Sequence, residues 1–234
     1  KNKGIILVKS LVNHFPDNPR VAASRRYKYI KEVIETQKNN IISTEDISNK
    51  LYWYLCIPHT TMMIHADILK QIKYNELRLF EDYDLCYRLN KLGYKMGTVP
   101  EILVDIRISE GSTTVRENKG DIFASIAFKI KEKEINRMLN GSDMLYIWGA
   151  GSLGRDLYRI LQQNRIDVTG FVDSNYKKIQ TGINGNLILD PSVLNEYVKK
   201  NTKVLVASQP GKFEIVKQLE DYGYKHLEDY MVMY

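Results

Sequence analysis

The chain has 234 residues, of which 44% are hydrophobic and 26% charged; this is the composition of one large or two small globular domains and argues against a disordered chain. Its net charge of +6 is modest and comes without a dense basic block. The charge therefore argues against nucleic-acid binding and favours anionic partners such as nucleotide diphosphates or a membrane surface.

The first part of the chain alternates strand-like and helix-like stretches without a regular repeat. Apolar residues at 4–12 predict a strand, and the Pro/Asn-rich stretch 15–19 predicts a turn. The polar stretch 25–40 reads as a loop passing into a helix, and 60–73 reads as a strand leading into a helix.

The next elements complete a predicted first domain over residues 1–140. Residues 81–94 predict a helix closed by Gly93, and 95–109 predict two strand-like pieces around Pro100. Isoleucines at four-residue steps within 121–140 predict a last helix. The stretch 140–143, Asn-Gly-Ser-Asp, is the predicted linker.

Residues 141–234 alternate strands and helices with the regularity of a parallel α/β sheet. Short apolar strands are followed by amphipathic helices, as expected when helices cover both faces of a parallel sheet. The predicted strands are 143–149, 168–173, 186–190 and 203–208, and the predicted helices are 152–164, 191–200 and 212–224. The pattern predicts a small Rossmann-like domain.

A glycine pattern lies between the first strand and the first helix of this domain. Gly149, Gly151 and Gly154 follow Gly-x-Gly-x-x-Gly, in which the glycines allow a tight turn, approach of a phosphate and close helix–strand packing. Asp173, about 20 residues on, stands where a ribose-binding acid belongs. Ser208 would line the same pocket. A bound nucleotide and an empty scaffold both stay open, because a fold alone does not establish function.

Three acidic residues open the helix predicted at 81–94. On a helix Asp82 and Asp84 point about 200° apart, so they cannot easily chelate one metal ion, and we predict no metal site there. Glu81 and Asp82 lean toward the packed side. The pair is either ordinary negative charge at a helix N-terminus or a general base in a cleft.

Residues 50–115 resemble the acceptor-side half of inverting family 2 glycosyltransferases of the GT-A fold. The order is Pro-His-Thr before an apolar strand, Glu-Asp-x-Asp-Leu opening a helix, Gly-Tyr-Lys, Pro-Glu-Ile-Leu-Val, and an arginine before a serine-containing loop. The resemblance implies that Asp82 is the general base on the acceptor hydroxyl, with Glu81 beside it. It also implies that His59, Arg107 and Ser112 lie near the substrate; a loop histidine bonded to backbone is the alternative for His59.

Two features of that family have no counterpart here. Its Asp-x-Asp metal motif and nucleotide-binding half should precede residue 50, and its histidine after the arginine is replaced by Ile108-Ser109. The resemblance implies a nucleotide sugar with Mn²⁺ or Mg²⁺, although the metal motif is missing. The chain begins at Lys1 rather than Met, so we expect a fragment or a processed chain.

The sequence thus predicts an α/β chain, the C-terminal part of a GT-A-type domain followed by a Rossmann-like accessory domain. The predicted activity is inverting transfer of a sugar from a nucleotide diphosphate to a glycan or lipid-linked acceptor. The alternatives are a nucleotide-binding or nucleotide-sugar-binding module with an inactive transferase remnant, and a nicotinamide-dependent enzyme acting on sugars. For the last, no Tyr-x-x-x-Lys pair is found downstream of the glycine pattern.

Location and assembly follow from the same features. The sequence predicts a cytoplasmic protein. Its two cysteines have neither metal-ligand nor disulfide spacing, and it shows no secretory signal and no apolar run of roughly 20 residues. The basic balance would suit the anionic cytoplasmic face of a membrane. A truncated sheet would expose an apolar edge and favour a homo-oligomer.

Overall fold

The computed structural model describes residues 4–77, 79–110, 120–175, 182–183, 185–197, 201–209 and 211–233. The chain divides into two compact units, Lys1–Asn118 and Lys119–Tyr234. Within the described residues, no helix is both long and apolar enough to cross a membrane.

The first unit contains a three-stranded sheet in the order β2-β1-β3. Its strands are β1 (Ile5–Pro16), β2 (Met63–Ile64) and β3 (Lys95–Ile108). β1 pairs with β3 in parallel and with β2 antiparallel. Because β2 pairs only with Leu7 and Val8, most of one side of β1 lies beyond that short strand.

Two sequence predictions for this sheet are corrected by the structure. β1 runs through Pro16, into the stretch predicted to be a turn, because its last residues still pair with β3. Residues 95–108 form one strand rather than two. The pairing register shifts after Val99, where Pro100 has no N–H to donate to a ladder, so the proline produces an irregularity and not a break.

Short helices complete the first unit. They are α1 (Pro19–Ala23), α2 (Arg25–Tyr29), α3 (Glu35–Asn39), α4 (Thr44–Leu51), α5 (Ala66–Ile72) and α6 (Glu81–Lys91). A π-helical segment (Ile30–Ile34) joins α2 to α3, and a 3₁₀ turn (His59–Thr61) precedes β2. The Gly93 prediction is confirmed, since Gly93 has a φ of +76° just past the end of α6.

Side chains of the α2–α3 segment cover the remaining side of β1. Asn39 accepts a hydrogen bond from Val12 N (3.0 Å) and donates one to Val12 O (2.8 Å), as a neighbouring strand would. Glu35 accepts from His14 N, and the Tyr27 hydroxyl donates to His14 O at 3.3 Å. The polar stretch read partly as a loop is therefore helical from Arg25, and its polar residues satisfy a strand edge.

The second unit contains a six-stranded sheet in the order β6-β7-β5-β4-β8-β9. Its strands are β4 (Met144–Trp148), β5 (Gly170–Val172), β6 (Gly182–Ile183), β7 (Asn186–Leu189), β8 (Thr202–Val206) and β9 (Tyr230–Val232). All described pairings are parallel except β6–β7. The chain leaves β4 toward β5 on one side and returns to β8 on the other, which is the Rossmann-like arrangement.

Four helices accompany this sheet in the described residues: α7 (Gly120–Leu139), α8 (Ser152–Gln163), α9 (Val193–Tyr197) and α10 (Lys212–Asp221). Helix α7 was predicted to end the first domain. Instead, its Ala124, Phe128 and Ile135 lie in the same buried core as Leu145 and Leu157. The compact second unit therefore begins about twenty residues before the predicted boundary at 140/141, because helical periodicity does not say which core a helix joins.

Candidate functional site

Close packing accounts for two of the three glycines in the β4–α8 loop. Gly149 has a φ of +118°, and a Cβ there would lie 2.6 Å from the carbonyl oxygen of Ala207. A Cβ on Gly154 would overlap the carbonyl oxygen of Gly149. Gly149 thus packs the loop against the residue that follows β8, and Gly154 packs the helix against the loop. The sequence pattern predicted a tight turn at Gly149 and close helix–strand packing at Gly154.

Packing does not explain Gly151. Its φ of −84° is open to any residue, and no atom outside its chain neighbours lies within 4 Å of the position that a Cβ would take. Gly151 is the N-cap of α8, which has no side-chain cap and no acidic residue in its first turn. The first backbone N–H groups of a helix have no intrahelical partner and favour negative charge. The open space at Gly151 therefore leads to groups that bind phosphate well.

Asp173 holds the loop in shape. It follows β5 directly and is nearly buried, with one carboxylate oxygen accepting from Ala150 N at 2.8 Å and the other from Asn175 N at 2.9 Å. It lies beside the glycine-rich loop, and its ribose-binding role stays a prediction. In this geometry its bonds go to backbone N–H groups, which orient the loop.

A cavity of about 460 Å³ opens at the carboxyl ends of β4, β5 and β8. Its position is the point where the connections of the sheet reverse, which is where ligands bind in open α/β sheets. The lining is Trp148, Gly149, Asp173, Ser174, Ser208, Gly211, Glu214, Ile215 and Gln218. Ser208 was predicted to line it.

The residues that α10 contributes to the cavity were not predicted. Glu214 and Gln218 follow Gly211 at steps of three and four, so they lie on one face of α10. That spacing, directly after a buried strand, is the signal that could have identified them. Together with Asp173, they make the described lining rich in hydrogen-bond acceptors. Such a lining suits a ligand whose hydroxyl or amine groups donate hydrogen bonds.

The first unit brings together three of the predicted catalytic and substrate-binding residues. His59 Nδ1 lies 3.8 Å from a carboxylate oxygen of Glu81 and 3.8 Å from one of Asp82. The other ring nitrogen of His59 is 3.1 Å from the Tyr74 hydroxyl, which sequence reasoning missed. Phe80, in the left-handed region at φ +63°, turns the chain into α6 so that both carboxylates start the helix.

The Asp82 carboxyl is much less exposed than its neighbours, with 16% of its side chain accessible against 41% for Glu81. Burial raises the pKa of Asp82 above its usual value of 3.8, and the charge of Glu81 raises it further. The N–H of Tyr83, His59 and Lys38 act in the opposite direction. A carboxylate with a raised pKa is a stronger proton acceptor when ionised.

Asp84 has a different role from Asp82. It is buried and accepts hydrogen bonds from Arg88 Nε at 2.8 Å and from the side-chain amide of Asn75 at 2.9 Å. Arg88 in turn donates to the carbonyl oxygens of Ile72 and Lys73 at the end of α5. The two aspartates therefore have different partners, and Asp84 links α6 to the end of α5.

The other residues implied by the resemblance do not join this cluster. Arg107 pairs with Asp17 at 3.4 Å and lies opposite Phe15 in the sheet. The turn that holds His59 directly precedes β2, and β2 pairs with Leu7 and Val8 of β1. Phe15 is seven residues beyond Val8, so Arg107 lies roughly 20 Å along the sheet from the place where β2 pairs. Ser112 lies outside the described residues.

Comparison with known proteins gives one family model that falls within the second unit, and several solved structures. A family model described as "C2185-like, N-terminal" matches residues 141–228. The crystal structure of UDP-D-quinovosamine 4-dehydrogenase from Vibrio fischeri is 32% identical, with 35% of this chain and 72% of that chain covered and a TM-score of 0.31.

Two structures of RSP, a Rex-family repressor, also match, one of them in complex with β-NADH. Each is 15% identical over 42% of this chain, with a TM-score of 0.32. This chain covers 51% and 52% of those chains, about half their length.

No curated protein matches at a significant level. None of the descriptions given above names a glycosyltransferase. The Rossmann-like assignment of the second unit rests on its strand order.

Proposed function

We propose that the second unit binds a nucleotide or a nucleotide sugar at the β4–α8 loop. The observation that carries the proposal is the open approach to Gly151, where neither backbone conformation nor packing calls for glycine. A diphosphate would accept hydrogen bonds from the first turn of α8, and the nucleoside or sugar would occupy the cavity beside Ser208 and Glu214.

The test compares Gly151→Val with the parent chain by isothermal titration calorimetry. The ligands are UDP-, GDP- and dTDP-sugars, NAD and NADP. Valine would fill the space that the diphosphate needs, so binding should be lost while the far-ultraviolet circular dichroism stays unchanged. Gly4→Val is the matched control, because a Cβ there also meets nothing within 4 Å but lies in the first unit. Equal affinity in the parent chain and Gly151→Val would refute the proposal.

A second candidate function is glycosyl transfer by the first unit, favoured by the meeting of His59, Glu81 and Asp82. Ionised Asp82 would take the proton from an acceptor hydroxyl as that oxygen attacks the anomeric carbon of the donor with inversion. The bond from that carbon to the diphosphate oxygen would break, and the nucleotide diphosphate would leave. Among the described residues, no three His, Cys, Asp or Glu side chains are placed so that they could hold a metal ion, so the Mn²⁺ or Mg²⁺ implied by the resemblance is assigned no ligands here.

Asp82→Asn tests this candidate, since an amide cannot accept the proton. Transfer from nucleotide sugars to glycan acceptors, followed by chromatography of the products, should fall at least about 100-fold. Asp67→Asn is the control because its carboxylate is exposed on α5 and belongs to no cluster described above. Undiminished transfer by Asp82→Asn would exclude Asp82 as the base.

A further inference from the structure

Strand β3 has one long side without a strand partner among the described residues. It lies at the end of the order β2-β1-β3, and its pairing with β1 continues to Ile108. An edge strand turns alternate N–H and C=O groups outward and is a template for one more strand. The edge of β1 differs, because Asn39 and Glu35 already satisfy its backbone.

Several large apolar side chains are exposed along this edge. Ile102 is 58% and Leu103 62% exposed, and Phe15 on the adjoining strand is 40% exposed. The segment 101–107, Glu-Ile-Leu-Val-Asp-Ile-Arg, is rich in residues that favour strands. Such a segment is protected in most proteins by a covering element or a partner.

We propose that a second copy of this chain adds to the β3 edge, antiparallel, about a two-fold axis through Val104. In this register Glu101 of each copy lies opposite Arg107 of the other, so two ion pairs form. Ile102 lies opposite Ile106, again twice. Opposite charges and apolar β-branched residues facing each other across strands both stabilise pairing.

Charge selects this register over its neighbours. An axis through Leu103 would place Glu101 opposite Asp105 twice. An axis through Asp105 would place that carboxylate opposite its own copy. Like charges directly opposite each other destabilise a pair of strands, and only the Val104 register of these three avoids them.

A second copy is the occupant that this edge fits. The segment is complementary to itself in the antiparallel sense, which is the requirement for an isologous two-fold interface. Pairing would also bring the exposed Leu103 and Phe15 of the two copies toward a common face.

Charge reversal tests the register in the full chain. Sedimentation velocity over a wide concentration range should show a dimer for the parent chain and a monomer for Arg107→Glu, in which two glutamates face each other. The double variant Glu101→Arg/Arg107→Glu restores opposite charges and should dimerise again. Asp17→Asn is the control, since it removes the Asp17–Arg107 ion pair without changing the edge, and it should stay dimeric.

Cross-linking tests the axis itself. Val104→Cys places two thiols across the axis within reach of a disulfide, so mild oxidation should give a covalent dimer. Cys56 and Cys86 are buried and do not compete. Met63→Cys, exposed elsewhere in the unit, should give none. A parent chain that is monomeric at every concentration, a dimer that Arg107→Glu leaves intact, or a folded double variant that stays monomeric would each overturn the proposal.

Discussion

Asp82 carries a burial cost that a neutral amide would not. Because its pKa is raised in the folded protein, the ionised form is penalised relative to the unfolded chain. This penalty is fully present above the folded pKa and disappears as the pH falls toward the unfolded value near 3.8. We therefore expect Asp82→Asn to raise the free energy of unfolding at neutral pH, with the gain shrinking as the solution is acidified.

Urea denaturation of the parent chain and Asp82→Asn between neutral and acidic pH measures this difference. Asp67→Asn should show little difference, since its carboxylate is exposed. A gain for Asp82→Asn that grows on acidification would contradict the assigned direction of the pKa shift.

Alanine should cost much more unfolding free energy at Gly154 than at Gly151. A methyl group at 154 would overlap the Gly149 carbonyl, so we expect Gly154→Ala to cost about 1–3 kcal/mol or more of unfolding free energy. Gly151→Ala meets open space and should cost less than about 1 kcal/mol, mainly through a poorer N-cap. Equal costs at the two positions, measured in urea, would contradict the packing described for this loop.

The sequence could predict the local parts of both candidate sites. The glycine pattern and Asp173 lie within about 25 residues of chain, and in the structure Asp173 accepts a hydrogen bond from the glycine-rich loop. Tyr74 and Glu214 were missed because their place depends on how distant elements pack. Arg107 was placed near the cluster by family order alone, and the strand geometry takes its side chain to Asp17 instead.

At the level of elements, the side chains that cover β1 should contribute more to the free energy of unfolding than their partial exposure suggests. Asn39→Ala removes both hydrogen bonds to the Val12 backbone and leaves polar strand groups without protein partners. We expect a loss of about 1–3 kcal/mol in unfolding free energy. Asn40→Ala is the matched control on the next, exposed residue and should stay within about 0.5 kcal/mol of the parent.

Hydrogen exchange adds a local readout to that comparison. Exchange at Val12 should accelerate in Asn39→Ala and not in Asn40→Ala. Unchanged protection of Val12 would mean that Asn39 does not act as a substitute strand.

Residues 25–40 show why the sequence predicted a loop where the chain is helical. Residues 25–40 are polar because their side chains meet backbone groups of a strand edge, so no apolar helical stripe marks the whole stretch. Helix α7 was located correctly from its isoleucines, but its assignment to a domain depended on contacts with Leu145 and Leu157 that no local pattern contains.

For the whole molecule, the division into two compact units predicts two unfolding transitions. A ligand at 100 times its dissociation constant adds about 2.7 kcal/mol to whatever unit binds it. If the second unit holds the nucleotide, the ligand should raise one transition and leave the other in place. Gly154→Ala should lower that same transition, which identifies it in differential scanning calorimetry.

A ligand that shifts the other transition would move the nucleotide site to the first unit and contradict the main proposal. One cooperative transition that responds as a whole would instead contradict the independence of the two units. Either result is read from the same scans.

The chain contains two tryptophans, and the fold separates them. Trp148 is buried in the second unit and lines the cavity at the end of β4, whereas Trp53 is half-buried in the first unit beside the Lys50 ammonium. Intrinsic fluorescence therefore carries one optical signal from each unit. Replacing Trp53 with phenylalanine would leave Trp148, at the wall of the cavity, as the single tryptophan. Its emission, excited at a wavelength that the 16 tyrosines do not absorb, would report occupancy without a label.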